Sequence, residues 1–192
     1  MNTIRSKAQE ASEDVYFGQV VANWARWFII AAGIVLVLWT ADSTAKVIIG
    51  VLPVVGLMAL NFYLHGRHLA SKPANTALIT VASLIDVALI TGLVVLWPGA
   101  RGLNNDFFVL YFPVLLAFTF VMQPRVSLMY TGAVLAVYTA VTILADPGLI
   151  TGAEEIELLV TRLITLGAVG ALGAYFWRIQ RDRRREAIGQ AA

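Results

Sequence analysis

Six apolar stretches run along the chain, separated by short polar or proline-containing segments. An α-helix rises about 1.5 Å per residue, so about 20 apolar residues span the hydrocarbon core of a bilayer. Each stretch has this length or comes close to it, and the fourth and shortest is expected to begin a turn earlier, near Asn104. The pattern predicts an all-α integral membrane protein, a bundle of six transmembrane helices at residues 20–40, 46–64, 76–97, 106–122, 126–145 and 156–177.

Residues that end helices lie between these stretches, as expected for loops. They are Ser71-Lys72-Pro73, Pro98-Gly99, Gln123-Pro124 and Asp146-Pro147-Gly148. No connection is long enough to form a soluble domain, so the chain divides into an N-terminal segment (1–19), a six-helix domain (20–177) and a basic helix end (178–192). The polar first segment lacks the apolar core of a signal peptide, and the first span is expected to remain in the mature protein.

Prolines and small residues within the stretches bear on helix packing. Pro53 and Pro113 fall inside predicted spans. We interpret them as packing kinks, which membrane bundles tolerate, with a hinge for signalling or transport as the alternative. Small residues spaced by four in the sixth stretch let two helix backbones approach closely, and we expect the partner to be another helix of this chain. These pairs are Gly167 with Ala171 and Gly170 with Ala174.

The distribution of positive charge predicts the orientation of the helices, because Lys and Arg are enriched on the cytoplasmic side of membrane proteins. Outside the spans, one side of the predicted bundle holds only Lys46 and Arg101. The opposite side holds Arg5, Lys7, Arg26, Arg67, Lys72, Arg125, Arg178, Arg181, Arg183, Arg184 and Arg185. We therefore expect a multi-pass protein of the bacterial inner membrane with both termini in the cytoplasm.

Composition agrees with a membrane protein and excludes several kinds of chemistry. Of the 192 residues, 59% are hydrophobic and 14% are charged, whereas about a quarter of the residues of soluble domains are charged. The lack of cysteine excludes disulfides, thiolate metal sites and covalent c-type haem. There is no Gly-rich phosphate loop and no metalloprotease motif, so we expect no enzymatic activity, no cofactor and no metal. A net charge of +2 does not indicate nucleic-acid binding.

Asp86 is the most informative single residue, because it lies near the middle of the third stretch. An ionised carboxylate at that depth costs about 2.5–3.5 kcal/mol, so it must be protonated, paired or hydrated. Arg162, in the outer half of the sixth stretch, is the candidate partner if its side chain reaches inward. We interpret this intramembrane polar pair as a buried clamp that fixes helix register. The functional alternative is an ion-sensing or proton-responsive pair.

Two polar groups lie at the predicted cytoplasmic surface. His65 and His68 are spaced by three at the end of the second stretch. With no further ligand nearby, we interpret them as solvated side chains at the level of the lipid headgroups. The basic end of the sixth helix is expected to contact anionic lipid. Alternatively, it is an output helix that docks on a signalling partner. Its residues are Arg178, Arg181, Arg183, Arg184 and Arg185.

From the third stretch onward the chain resembles the N-terminal multi-span membrane region of bacterial sensor histidine kinases and diguanylate cyclases. The likeness lies in the segment around Asp86 (84–92), the loop 104–108, the aromatic-proline segment 110–116, the turn Gln123-Pro124-Arg125 and Tyr138. The 192 residues contain neither a phosphoacceptor helix nor an ATP-binding or cyclase domain. The resemblance implies a sensory or scaffold membrane module without a catalytic output of its own.

Three functions stay open on the sequence. The first is a non-catalytic sensory module, free-standing or cut from a longer kinase-like protein, that passes a helix shift to a cytoplasmic or membrane partner. The second is an accessory structural subunit of a larger membrane complex, respiratory or photosynthetic. The third is a small transporter or channel, for which few intramembrane polar residues are present. In each case the chain contacts membrane lipids.

Overall fold

The computed structural model describes residues 2–70, 72, 75–100, 102–145 and 152–190, with side chains described from Val20 to Gln180 within these ranges and at Arg183. The described residues form α-helices and two short 3₁₀ helices, and they contain no β-strand. The α-helices are α1 (Asn2–Thr40), α2 (Thr44–Leu69), α3 (Thr76–Leu96), α4 (Tyr111–Val121), α5 (Pro124–Ala145) and α6 (Ala153–Gln190). The prediction of an all-helical protein is confirmed.

Five of these helices are long and apolar enough to cross a membrane. Their apolar portions are Val20–Thr40, Thr44–Leu69, Thr76–Leu96, Pro124–Ala145 and Ala153–Gln180. Many of their large apolar side chains point outward, among them Trp39 at 86% and Leu144 at 80% exposure. In a soluble protein such a surface would be costly, whereas in a bilayer it faces lipid. The chain is therefore a helical protein of membrane-spanning type.

The predicted fourth span is shorter and more irregular than the others. A 3₁₀ helix at Gly102–Asn104 and a second at Asp106–Leu110 lead directly into α4. Pro113 lies in the first turn of α4, not in its middle. Proline has no N–H and clashes with the carbonyl four residues earlier, so the first turn is where an α-helix accepts it. Pro53, by contrast, lies inside α2, as predicted.

Polar side chains cap the N-termini of α2 and α3, where the sequence changes from a loop to an apolar stretch. Ser43 accepts a hydrogen bond from the backbone N–H of Lys46 (3.4 Å) at the start of α2. Asn75 accepts one from Leu78 (2.8 Å) at the start of α3. Such N-caps satisfy donors that a helix leaves unpaired. The predicted turn at 146–148, like Pro73, lies outside the described residues.

Alternate helices enter the bundle from opposite ends. The end called the Trp97 end holds the α1–α2 turn and the end of α3, since a Cβ on Gly50 would meet both Val37 and Trp97. The opposite end, called the Pro124 end, holds the turn from α4 to α5. α1 packs against α2 and α4, and α6 packs against α4 and α5. The core between them includes fully buried aromatic rings, which are Phe107, Tyr111, Phe118 and Tyr138.

Close contacts of α6 depend on its glycines. A Cβ on Gly170 would collide with Thr131 of α5, and one on Gly173 would collide with Thr119 of α4. Gly167 is less constrained, since its Cβ would make an ordinary contact with Leu135. The expectation that small residues of this helix pack within the same chain is confirmed for Gly170 and Ala174, which are buried, whereas Ala171 is exposed.

A candidate functional site inside the bundle

A buried ion pair joins α1 to α3. The Nε of Arg26 donates to Oδ2 of Asp86 (2.8 Å), and Nη2 of Arg26 lies 2.8 Å from the same oxygen. The side chains are only 3% and 4% exposed. Arg26 is six residues inside the apolar part of α1, and Asp86 is at the centre of α3. Each charge is therefore neutralised by the other within the apolar bundle, which is what a charged side chain at this depth requires.

The predicted pair of Asp86 with Arg162 is not formed. Arg162 lies near the Trp97 end, where its Nη1 donates to the hydroxyl of Tyr138 (3.0 Å) and to the carbonyl of Asn105 (3.4 Å). Its guanidinium also lies 3.7 Å from the centre of the Phe108 ring, in a cation–π contact. Arg162 finds these partners at its own depth, so it has no need to reach toward the centre of α3.

The sequence contained a signal for Arg26 that charge counting alone overlooked. The count of positive charges places Arg26 at the cytoplasmic flank, because it lies near the start of the first apolar stretch. However, Asn23, Arg26 and Ile30 are spaced by three and four residues, which places them on one helix face. All three are buried. Because Asn23 and Arg26 share their helix face with the core residue Ile30, this spacing predicts that the Arg26 side chain points into the bundle and not toward the lipid headgroups.

Further polar groups surround the ion pair. Asn23 is 4% exposed and Asn61 of α2 is 0% exposed. Tyr130 of α5 donates from its hydroxyl to the carbonyl of Ser83 on α3 (3.0 Å), one turn before Asp86. The Tyr130 ring stacks on Phe118 of α4, with ring centres 3.8 Å apart. Four helices, α1, α2, α3 and α5, thus contribute to one polar layer in the half of the bundle toward the Pro124 end, and α4 adds the apolar Phe118 ring beside it.

A second polar group closes the Trp97 end, centred on Asn105, which is 0% exposed. Its Nδ2 donates to the carbonyls of Leu93 (3.0 Å), Val94 (3.2 Å) and Ala100 (2.9 Å). Its Oδ1 accepts from the N–H of Phe107 (2.8 Å). One amide thus caps the end of α3 and begins the 3₁₀ helix that follows. Because the backbone carbonyl of Asn105 also accepts from Arg162, this group connects α3, the 3₁₀ helix Asp106–Leu110 and α6.

Next to this group an open pocket of about 140 Å³ lies at the Trp97 end. Charged side chains of both signs line it, Lys46 and Asp106, above the rings of Trp97 and Phe107. Lys46 also donates to Asp42 (2.8 Å). This hydrogen bond holds the pKa of the Asp42 carboxyl below its usual range. The pocket offers a polar surface at the end of an otherwise apolar bundle.

The remaining predicted site residues lie on the charged end of α6. Arg178 and Arg183 are exposed, while the side chains of Arg181, Arg184 and Arg185 lie outside the described part of the structure. The backbone of α6 continues through all five positions as one helix. Within the described residues, no three His, Asp or Glu side chains come together in a way that would hold a metal ion.

Comparison with protein-family models, with curated proteins and with solved structures finds no match for this chain. The class of protein therefore follows from the fold alone. It is an all-helical protein with five helices of membrane-spanning type and a polar interior built around a buried ion pair.

Proposed function

We propose that this chain is a sensory membrane module that passes movements of its helix bundle to a partner through α6, without catalytic chemistry of its own. One observation carries the proposal: α6 is a single unbroken helix from Ala153, at the start of its apolar part, to Gln190, beyond that part. At about 1.5 Å per residue a helix of 38 residues is about 57 Å long. That length exceeds the ~30 Å hydrocarbon core by several turns.

The proposal includes six spans, with both termini on the cytoplasmic side of a bacterial inner membrane. The 3₁₀ helix Asp106–Leu110 and α4 together have 16 residues. With rises of about 2.0 and 1.5 Å per residue they reach about 26 Å, slightly less than a bilayer core. A span this short is accommodated by local thinning of the bilayer. The excess of Lys and Arg at the Pro124 end supports the orientation.

The contacts of α6 suggest how a shift would pass along it. At the Trp97 end, Arg162 holds α6 to Asn105 and Tyr138, beside the pocket that Lys46 and Asp106 line. Farther along, Gly170 and Gly173 bring its backbone against α5 and α4. A cue that altered the Asn105 group would move α6 at one end. A rigid helix in close packing transmits such a displacement as a rotation or a sliding motion.

The test changes the rotational position of the end of α6 relative to the bundle. The full chain is fused after Gln190 to the catalytic region of a diguanylate cyclase that lacks its own sensor, and zero to seven alanines are inserted after Arg178. Each alanine turns the following helix by about 100°. We expect cyclase activity in membranes to vary with a period of about 3.6 residues, so that one insertion changes it and four largely restore it.

A matched series with zero to seven Gly and Ser residues after Gln190 serves as control for linker length, because such a flexible linker does not fix a rotational position. Activity that is independent of insertion number would contradict the sensory proposal. In that case, stoichiometric retention of the native chain in a large complex after mild-detergent purification would favour the accessory-subunit reading.

A further inference from the structure

The polar layer around the ion pair contains atoms without hydrogen-bond partners. Neither Oδ1 nor Nδ2 of Asn61 has one, although this side chain is 0% exposed. The same holds for Oδ1 of Asp86 and for Oδ1 of Asn23. A buried polar group without a partner costs free energy in any protein interior, and inside a bilayer there is no bulk water to relieve it. Such atoms indicate a ligand.

The contacts of neighbouring residues place these atoms at similar depths. Trp27 of α1 and Phe62 of α2 meet edge to face, with ring centres 5.3 Å apart. Because α1 and α2 are antiparallel, Arg26 and Asn61 lie in opposite directions from this contact and within about one helical turn of each other in depth. Asn23 is one turn from Arg26 on the same face of α1. A Cβ on Gly56 of α2 would lie 3.5 Å from Leu89 of α3. Because α2 and α3 are antiparallel, Asn61 is then level with the turn of α3 that contains Asp86.

We propose that this layer is a binding site for internal water between α1, α2 and α3. The unpartnered set is rich in acceptors, namely the Oδ1 atoms of Asn23, Asn61 and Asp86, with one donor group, Nδ2 of Asn61. The ligand must therefore donate at least two hydrogen bonds and accept one. The inference does not depend on the sensory role proposed above.

Charge decides between water and a cation. Arg26 already neutralises Asp86 at 2.8 Å, so the layer carries no net charge. A monovalent cation would add an uncompensated positive charge beside a guanidinium in an apolar surrounding, which is unfavourable. Water is neutral, has two donors and two acceptors, and is the usual partner of buried polar atoms in proteins. Bridging water also joins α2 to the ion pair of α1 and α3.

The chain offers its own reference for a direct test, because Asn75 is exposed at the start of α3. The native chain, labelled with [¹⁵N]asparagine and reconstituted in lipid bilayers, is studied by solid-state NMR. Magnetisation transfer from water to each side-chain amide is measured.

We expect transfer from water to the amide of Asn61 at the mixing time at which the amide of Asn75 shows it. No transfer to the Asn61 amide at that mixing time would overturn the proposal. A shift of the Asn23 and Asn61 side-chain signals when choline chloride is replaced by sodium chloride would also overturn it, because it would identify a cation as the ligand.

Discussion

At the scale of single residues, the arginines and the aspartate inside the bundle lie at two depths. Arg26 and Asp86 neutralise each other near the middle, while Arg162 is held by a phenol, a carbonyl and an aromatic ring near the Trp97 end. The sequence identified Asp86 correctly as a buried polar residue. It could not identify Arg26 as the partner of Asp86, because pairing depends on which helices are neighbours. The order of the spans along the chain does not determine which helices pack together.

A double-mutant cycle tests which arginine is coupled to Asp86. Arg26→Met leaves the Asp86 carboxylate buried and unpaired, so we expect a loss of about 3–5 kcal/mol in unfolding free energy. Adding Asp86→Leu removes the orphaned charge and should restore part of that loss. Stability is followed by circular dichroism during unfolding in mixed detergent micelles.

Arg162→Met is the matched control, since it removes the same group at a different depth. Its effect should add to that of Asp86→Leu within about 0.5 kcal/mol, as for sites that do not interact. Strong coupling of Asp86 to Arg162, with none to Arg26, would mean that the ion pair described here is wrong.

Asn105 supports a second prediction at this scale. Asn105→Ala removes the group that caps α3 and begins the next 3₁₀ helix. With several buried bonds lost, we expect a decrease of about 2–3 kcal/mol in unfolding free energy. The adjacent Asn104 is exposed, so Asn104→Ala should change it by less than about 0.5 kcal/mol. Equal effects of the two substitutions would contradict the capping role. The same unfolding assay compares them.

At the scale of elements, hydrophobic length was the reliable signal. The starts and ends of α3 and α5 lie within two residues of the predicted spans, because caps and prolines mark them. The fourth stretch was less predictable. Its apolar residues are numerous enough, but Asn105 begins a 3₁₀ helix at Asp106–Leu110, and the α-helix that follows has Pro113 in its first turn. The sequence showed the residues that break the helix without showing which geometry would result.

Glycine substitutions test the packing of α6. Gly173→Ala places a methyl group against Thr119 of α4, so the two helices must separate and stability should fall by about 1–3 kcal/mol. Gly167→Ala meets only an ordinary contact. It should be neutral or stabilising by up to about 1 kcal/mol, because alanine favours a helix over glycine. Thermal unfolding in detergent compares the two. A larger loss for Gly167→Ala than for Gly173→Ala would contradict this packing.

At the scale of the whole molecule, an even number of crossings requires that the two terminal helices leave the bundle on the same side. α1 and α6 both extend past their apolar portions there, α1 before Val20 and α6 beyond Gln180. Five long apolar helices by themselves do not fix this arrangement. It depends on the short segment 106–121 crossing as well.

Reporter fusions decide the number of crossings. With six spans we expect cytoplasmic signals after Ala70, Gln123 and Ala192, and external signals after Asp42, Gly102 and Gly152. Alkaline phosphatase, active outside, and a fluorescent protein, active inside, provide complementary readings. A cytoplasmic signal at Gly152 would remove the six-span arrangement.

The separation of the ion pair along the chain has a consequence for biosynthesis. Asp86 follows Arg26 by 60 residues. At about 5–20 residues per second, a ribosome reaches Asp86 about 3–12 s after it has added Arg26. During that interval α1 carries a charge that costs about 2.5–3.5 kcal/mol in lipid. We therefore expect α1 to stay beside the insertion machinery until α3 arrives, so that the first three helices enter the bilayer as one unit.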